Sequence, residues 1–282
     1  VTSRADASSW TAEVLSRTSL SEHLLRLELG GPDLVGLTVT GIPDEWVPLT
    51  VPGQFQSRYY TVRSWDGERL VLDVVVHAEG LVTEWASGDP VGDEVGIGPA
   101  KGSFAPPADA DWLMLVGDLT ALPAIARILE ERADVPTRVW VEAPPGHEHL
   151  LPQTAAEVTW TRPPGPADSA LAAVVEGLDW PDGDGYFWMS GESSQMRAIR
   201  KHLMRERRLP SSAYDVMGYW RKPGGRTRPV DPGPIWEAGK AAGESDEQIW
   251  QRYDAAQEAG QEMGQEMGQE MGQEMGREMG QR

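Results

Sequence analysis

Residues 111–133 read DWLMLVGDLTALPAIARILEERA, and the fold follows from this stretch. The apolar run Trp112–Val116 stops at Gly117, as a buried strand does at a sharp turn. Beyond the turn, Ile125, Leu129 and Arg132 fall at helical spacing. Pro123 suits the first turn of that helix, where its missing N–H costs no hydrogen bond. Strand, turn and helix in that order open a crossover unit. The alternation continues with strand candidates TRVWVEA (137–143), EVTWTRP (157–163), GYFWMSGE (185–192) and YDVMGYW (214–220). Between them lie the helix candidates ALAAVVEGL (170–178) and SSQMRAIRKHLMRERR (193–208). Strands alternating with helices imply a parallel sheet covered on both faces. Residues 111–225 are therefore expected to form an α/β domain.

Upstream the pattern is different. TAEVLSRTSLSEHLLRLEL (11–29) alternates in short stretches joined by a tight turn. SRYYTVRSW (57–65) and ERLVLDVVVHA (68–78) are two further strand candidates, with the hairpin signal Asp66-Gly67 between them. GDPVGDEVGIGP (88–99) adds turns and one short strand. No long helix is expected here. Residues 10–108 read as a small antiparallel barrel, with APPADAD (105–111) as the linker to the second domain.

Past Trp220 the chain changes again. RKPGGRTRPVDPGP (221–234) reads as a linker, and IWEAGKAAGESDEQIWQRYDAAQ (235–257) holds a helix candidate. From Gln257 the sequence repeats in fours, mostly as QEMG. Glycine at every fourth position costs about 1 kcal/mol each inside a helix. Residues 226–282 are expected to be a linker and a low-complexity tail, disordered or partly helical. Its methionine stripe is either a docking surface or a feature without chemical role.

The 282 residues carry a net charge of −19. That field opposes non-specific binding to nucleic acid or an anionic membrane. There is no cysteine, which removes disulfides, thiolate metal sites, cysteine-ligated iron–sulfur clusters and cysteine nucleophiles. No apolar run reaches membrane-spanning length, and VTSRADASSW at the start has no secretory pattern. The expectation is a cytoplasmic protein without membrane insertion.

Three clusters carry chemistry. The first is Arg58-Tyr59-Tyr60-Thr61-Val62-Arg63. On a strand, Arg58 and Tyr60 share one face, Thr61 and Arg63 the other. Arginine at a strand end can clamp a phosphate, and a tyrosine ring offers a flat wall to a heterocycle. A half-buried strand with an ion pair at each end is the plain alternative. The second is Gly117–Ile125, a strand-to-helix turn at the edge where parallel sheets bind ligands. Thr120 can cap that helix, whose amides favour an anion. The third runs from Trp188 to Lys222. It includes Ser190, Gly191 and a basic helix with Arg197 and Arg200 one turn apart. That helix is either a solvated face or a patch for an anionic ligand.

Taken together, these clusters resemble the siderophore-interacting branch of the ferredoxin-reductase-like superfamily. Arg58, Tyr60, Thr61, Arg63 and His77 match its Arg-x-Tyr-Thr-x-Arg strand and the downstream histidine. Gly117–Ile125 matches eight of nine positions of Gly-Asp-Glu-Thr-Ala-Leu-Pro-Ala-Ile, with Leu119 in place of the glutamate. Trp188–Glu192 resembles Trp-x-Ala-Gly-Glu, and Gly218-Tyr219-Trp220-Arg221 the family's ending. Where the family has a Gly-Pro-Ala-Ser turn before Trp85-Ala86, this chain has Glu79–Glu84. The lysine that many members carry shortly before the ending is missing, and Lys222 lies elsewhere.

The resemblance implies an N-terminal FAD-binding barrel followed by an NAD(P)H-binding-like domain. It implies that Arg58, Tyr60, Thr61 and Arg63 hold FAD, with His77, Thr83, Thr120 and Ala121 beside it. Ser190, Gly191, Arg197, Arg200, Trp220 and Lys222 are implied to meet NAD(P)H or a siderophore. The implied activity is FAD-dependent reduction of a ferric siderophore, with NADPH, NADH or a ferredoxin as electron donor. No side chain is expected to act as nucleophile or resident metal ligand. The alternatives are a general flavin or ferric reductase, and a non-catalytic protein that binds siderophore or flavin.

Overall fold

The computed structural model describes residues 9–54, 57–76, 80–165, 168–222, 232–243 and 252. Six strands close the N-terminal barrel. They are β1 (Trp10–Ser21), β2 (Leu24–Gly30), β3 (Trp46–Thr50), β4 (Arg58–Trp65), β5 (Leu70–Val75) and β6 (Glu94–Ile97). Their order is β1-β2-β5-β4-β3-β6, and β6 pairs back onto β1 at Trp10↔Ile97. All neighbours are antiparallel. Alternation does the packing: Val14, Leu27, Leu49, Val62 and Leu72 fill the interior.

Two elements of this domain differ from the expectation. β3 reads WVPLT, and proline counts against a strand because it donates nothing to the ladder. Here Pro48 faces Tyr59 across β4, and its carbonyl accepts from Gly98 N at 2.9 Å. The second is a short helix, α1 (Leu81–Ser87), which presses Val82 and Ala86 into the barrel core.

The second sheet is parallel. Its strands are β7 (Trp112–Asp118), β8 (Thr137–Glu142), β9 (Glu157–Thr161), β10 (Gly185–Glu192) and β11 (Tyr214–Trp220), ordered β11-β10-β7-β8-β9. Helix α2 (Leu122–Glu131) covers one face; α3 (Leu171–Glu176) and α4 (Ser193–His202) cover the other. β7 serves both faces in alternation. Leu113 and Leu115 pack with α2, while Met114 and Val116 pack with α3 and α4. That explains its unbroken apolar run. α4 continues as a π-helical turn, Leu203–Arg207.

Barrel and sheet belong to one unit that ends at Arg221, and a second unit runs from Lys222. The junction within the first unit is polar and specific. Arg127 of α2 donates to Glu45 Oε1 at 3.1 Å and to the Val62 carbonyl at 2.8 Å. Glu45 is 1% exposed, and its other oxygen accepts from Thr40 N and Thr40 Oγ1 at 2.6 Å and from Gly41 N at 3.1 Å. In the second unit, helix α5 (Pro232–Ala241) begins inside the segment read as linker. The QEMG repeats lie outside the described residues, as does the expectation placed on them. No helix among the described residues is long and apolar enough to cross a membrane.

Candidate active site between barrel and sheet

Strand order in the parallel sheet reverses between β7 and β10. Chains leaving the carboxyl ends of these two strands go to opposite faces, which opens a crevice there. A cavity of about 750 Å³ lies at this place, with the barrel as its other wall. The barrel contributes Arg58, Tyr59, Tyr60 and Thr61 from β4, and Thr83 from α1. The sheet contributes Thr120 after β7, Ser193 after β10, and Met217–Arg221 from the end of β11.

The β4 residues follow from their strand. Tyr60 packs against the barrel core, and burial pushes its hydroxyl up to about 12 while Arg58 pulls it down. Tyr59 is 64% exposed at the cavity. Thr61 is buried toward the sheet.

Asp118 organises the sheet side. Its Oδ1 accepts from Thr120 N at 2.9 Å and from Thr120 Oγ1 at 2.5 Å. Its Oδ2 accepts from Trp220 Nε1 at 2.6 Å. Burial raises the pKa of this carboxyl, and the bonds from Thr120 and Trp220 oppose the rise. A Cβ on Gly191 would stand 2.6 Å from Asp118 Oδ2, so glycine there makes room for the carboxylate. A Cβ on Gly218 would stand 2.6 Å from Ser193 Oγ, so that glycine lets β11 run close to the start of α4.

Six of the residues to which the resemblance gives a ligand role line the cavity: Arg58, Tyr60, Thr61, Thr83, Thr120 and Trp220. Of the others, none that is described lines it. Arg63 makes a bidentate ion pair with Glu130 of α2, at 2.6 and 3.1 Å. Ala121 is the buried N-cap of α2. Ser190 and Gly191 are buried and do not line the cavity. Arg200 donates to the Val216 carbonyl at 2.6 Å, and neither it nor Arg197 lines the cavity. The exposed basic end of the helix, Arg205–Arg208, sits at the opposite edge of the sheet, where Arg207 stacks on Trp180. Lys222 is exposed and falls in the second unit. His77 lies outside the described residues.

Two departures from the family pattern have a structural reading. Leu119 is 7% exposed and packs in the cluster on the α2 face. Glu84 is exposed and does not line the cavity. Sequence reasoning missed Trp46 and Asp73. Asp73 sits mid-strand among valines, and nothing local distinguishes it from a surface position.

The donor set suits a flavin dinucleotide. Arg58 and Arg221 bring two guanidinium groups to the wall, in a chain of net charge −19. The wall's carboxylate, Asp73, is matched by Arg26 in a bidentate pair at 2.7 and 2.8 Å. Tyr59, Tyr219 and Trp220 supply aromatic surface. Ser190 Oγ and the Tyr219 hydroxyl are buried without a contact of hydrogen-bond geometry. Burial raises the Tyr219 pKa, reinforced by the Asp44 charge, while nearby Ser190 and Thr61 lower it. The hydroxyl therefore stays protonated and is available as a donor.

The model of the siderophore-interacting protein family matches residues 110–223. That of the siderophore-interacting FAD-binding domain matches residues 53–104. The chain is 29% identical over 237 residues to the ferric vibriobactin reductase ViuB of Vibrio cholerae, across 72% of this chain and 86% of that protein. It is 24% identical over 235 residues to the NADPH-dependent ferric-chelate reductase of Escherichia coli, across 73% and 91%. Among solved structures it resembles a siderophore utilization protein from T. fusca, with a TM-score of 0.64 and 28% identity across 78% of this chain and 95% of that one.

Proposed function

The chain belongs to the siderophore-interacting protein family, and from that membership we propose that it reduces iron(III) held in a siderophore, using FAD bound in the cavity between barrel and sheet. The observation that carries this reading is the wall itself: two arginines, aromatic rings and hydroxyl groups, drawn from both domains, around about 750 Å³. When bound, FAD accepts electrons in pairs and passes them on singly.

The protein's own residues do the rest. Arg58 and Arg221 neutralise phosphate charge. Tyr59 and Trp220 flank the heterocycle and keep water from it. Thr61 and the Tyr219 hydroxyl supply donors to its polar edge, and the Thr120 hydroxyl, whose proton goes to Asp118, keeps an acceptor lone pair. Asp118 fixes Thr120 and Trp220 in place. We assign NADPH or NADH as the electron donor, in line with the Escherichia coli relative named for its NADPH dependence. Iron is substrate here, and iron(II) leaves because hard oxygen ligands hold it less tightly than iron(III).

An anaerobic absorbance titration tests this. Protein reconstituted with FAD should bleach on addition of NADPH or NADH, then recover its band with a ferric siderophore while a chelator traps iron(II). Failure to bind FAD would overturn the reading. Bleaching by a reduced ferredoxin, with no response to either nicotinamide, would retain the reductase and replace its donor.

A further inference from the structure

Where the barrel meets β11, one hydroxyl stands between a buried carboxyl group, Asp44, and a half-buried one, Asp215. Ser103 Oγ lies 2.9 Å from Asp44 Oδ2 and 2.6 Å from Asp215 Oδ2. A serine hydroxyl has one proton to donate. Two hydrogen bonds to two carboxylate oxygens therefore need a second proton, and only the carboxyl groups can carry it. Asp44 is the member with more donors around it. Its Oδ1 accepts from Ser103 N at 2.9 Å and Phe104 N at 3.0 Å, and its Oδ2 accepts from Trp188 Nε1 at 3.2 Å. With those donors already directed at it, Asp44 is placed as the acceptor of the Ser103 proton.

We propose that Asp215 carries the proton at neutral pH and donates it to Ser103 Oγ, which donates in turn to the Asp44 carboxylate. This acid–hydroxyl–carboxylate chain fastens β11 to the barrel. β11 carries Met217–Arg221 into the cavity wall, two residues beyond Asp215. Asp215 is thus a positioning residue for the FAD site, an inference that rests on the reading of that site given above.

The surroundings agree. Burial raises the Asp215 pKa most, the bond from Ser103 lowers it, the Asp44 charge raises it, and Arg200 of α4 lowers it. Tyr186 of β10 and Tyr219 of β11 are the other titratable groups facing the pair, and burial raises both. A carboxyl whose pKa is raised by folding stabilises the fold below that pKa and loses the contribution as pH rises through it. Above it, two carboxylates compete for one hydroxyl proton, and β11 loosens from the barrel.

The test is FAD affinity as a function of pH, by flavin fluorescence, together with infrared spectra of the apoprotein. In the wild type, affinity should fall from neutral to alkaline pH by up to about tenfold per pH unit, the limit for one linked proton. Asp215→Asn, whose amide donates in place of the acid, should keep its neutral-pH affinity within about twofold and lose the pH dependence. The infrared spectrum of the wild type should show a protonated-carboxyl band that Asp215→Asn lacks. If Asp215→Asn removes no protonated-carboxyl band, the proton is not on Asp215 and the proposal is overturned. So does a wild-type affinity that is flat with pH. Absence of FAD binding at every pH would overturn the proposed function instead, and the apoprotein band would still decide where the proton lies.

Discussion

The indole N–H of Trp220 donates to Asp118 Oδ2 at 2.6 Å, tying the end of β11 to the end of β7 across the intervening strand β10. The same carboxyl holds Thr120 through its other oxygen. One buried side chain thus fixes two residues of the cavity wall. Asp118→Ala leaves the Trp220 and Thr120 donors unpaired, at about 1–3 kcal/mol for each one that stays buried. FAD affinity should drop about tenfold or more, measured by quenching of flavin fluorescence. Asp118→Asn keeps an acceptor oxygen and should lose less. Equal affinity in the alanine variant and the wild type would contradict this role.

Arg58 stands at the start of β4 on the cavity. A hydrogen bond from a charged donor is worth about 1.5–3 kcal/mol. Arg58→Ala should therefore weaken FAD binding by about tenfold to a hundredfold, read as the dissociation constant. Arg58→Lys should restore only part of it, because an ammonium cannot form the paired, planar contact. Full rescue by lysine would reduce the role to a point charge.

Gly218 has no room for a side chain. An added Cβ meets Ser193 Oγ at 2.6 Å, Ser193 Cβ at 3.1 Å and Ser193 Cα at 3.2 Å. Gly218→Ala should cost about 1–3 kcal/mol through overpacking. Because both residues line the cavity, the variant should lose FAD affinity as well as thermal stability. Calorimetry of the apoprotein and flavin titration separate the two effects.

Arg127 bridges Glu45 and the Val62 carbonyl at the junction of the domains. Arg127→Met leaves Glu45 as a buried carboxylate without its cation, and breaking such a pair typically costs about 3–5 kcal/mol. Chemical denaturation should show a loss of this size. The double variant Arg127→Met with Glu45→Gln should recover part of it. No recovery would mean that the guanidinium acts by packing alone.

Much of the architecture is legible in local pattern. The apolar run 112–116, the helical spacing after Pro123 and the later alternation specify a parallel sheet, because a strand buried on both faces cannot alternate with polar residues. β3 escapes this logic. Pro48 argues against a strand, and only the closure of the barrel around it supplies the pairing. α1 is also hidden, since seven residues are too few for a periodicity to stand out.

The site divides in the same way. Short-range motifs point to Arg58, Tyr60, Thr61 and Thr120, since each sits in a run whose strand or turn geometry is set by its immediate neighbours. The basic helix shows the opposite case. Its charges are plain in the sequence, but the helix runs away from the crevice, so Arg205–Arg208 end at the far edge of the sheet. The partnership of Asp118 with Trp220, the pairing of Asp73 with Arg26 and the proton shared by Asp44, Ser103 and Asp215 join residues from separate strands and turns. Periodicity and composition are local quantities and carry no such information. Those contacts arise where barrel and sheet close on each other, and burial there sets the protonation of the carboxyl groups.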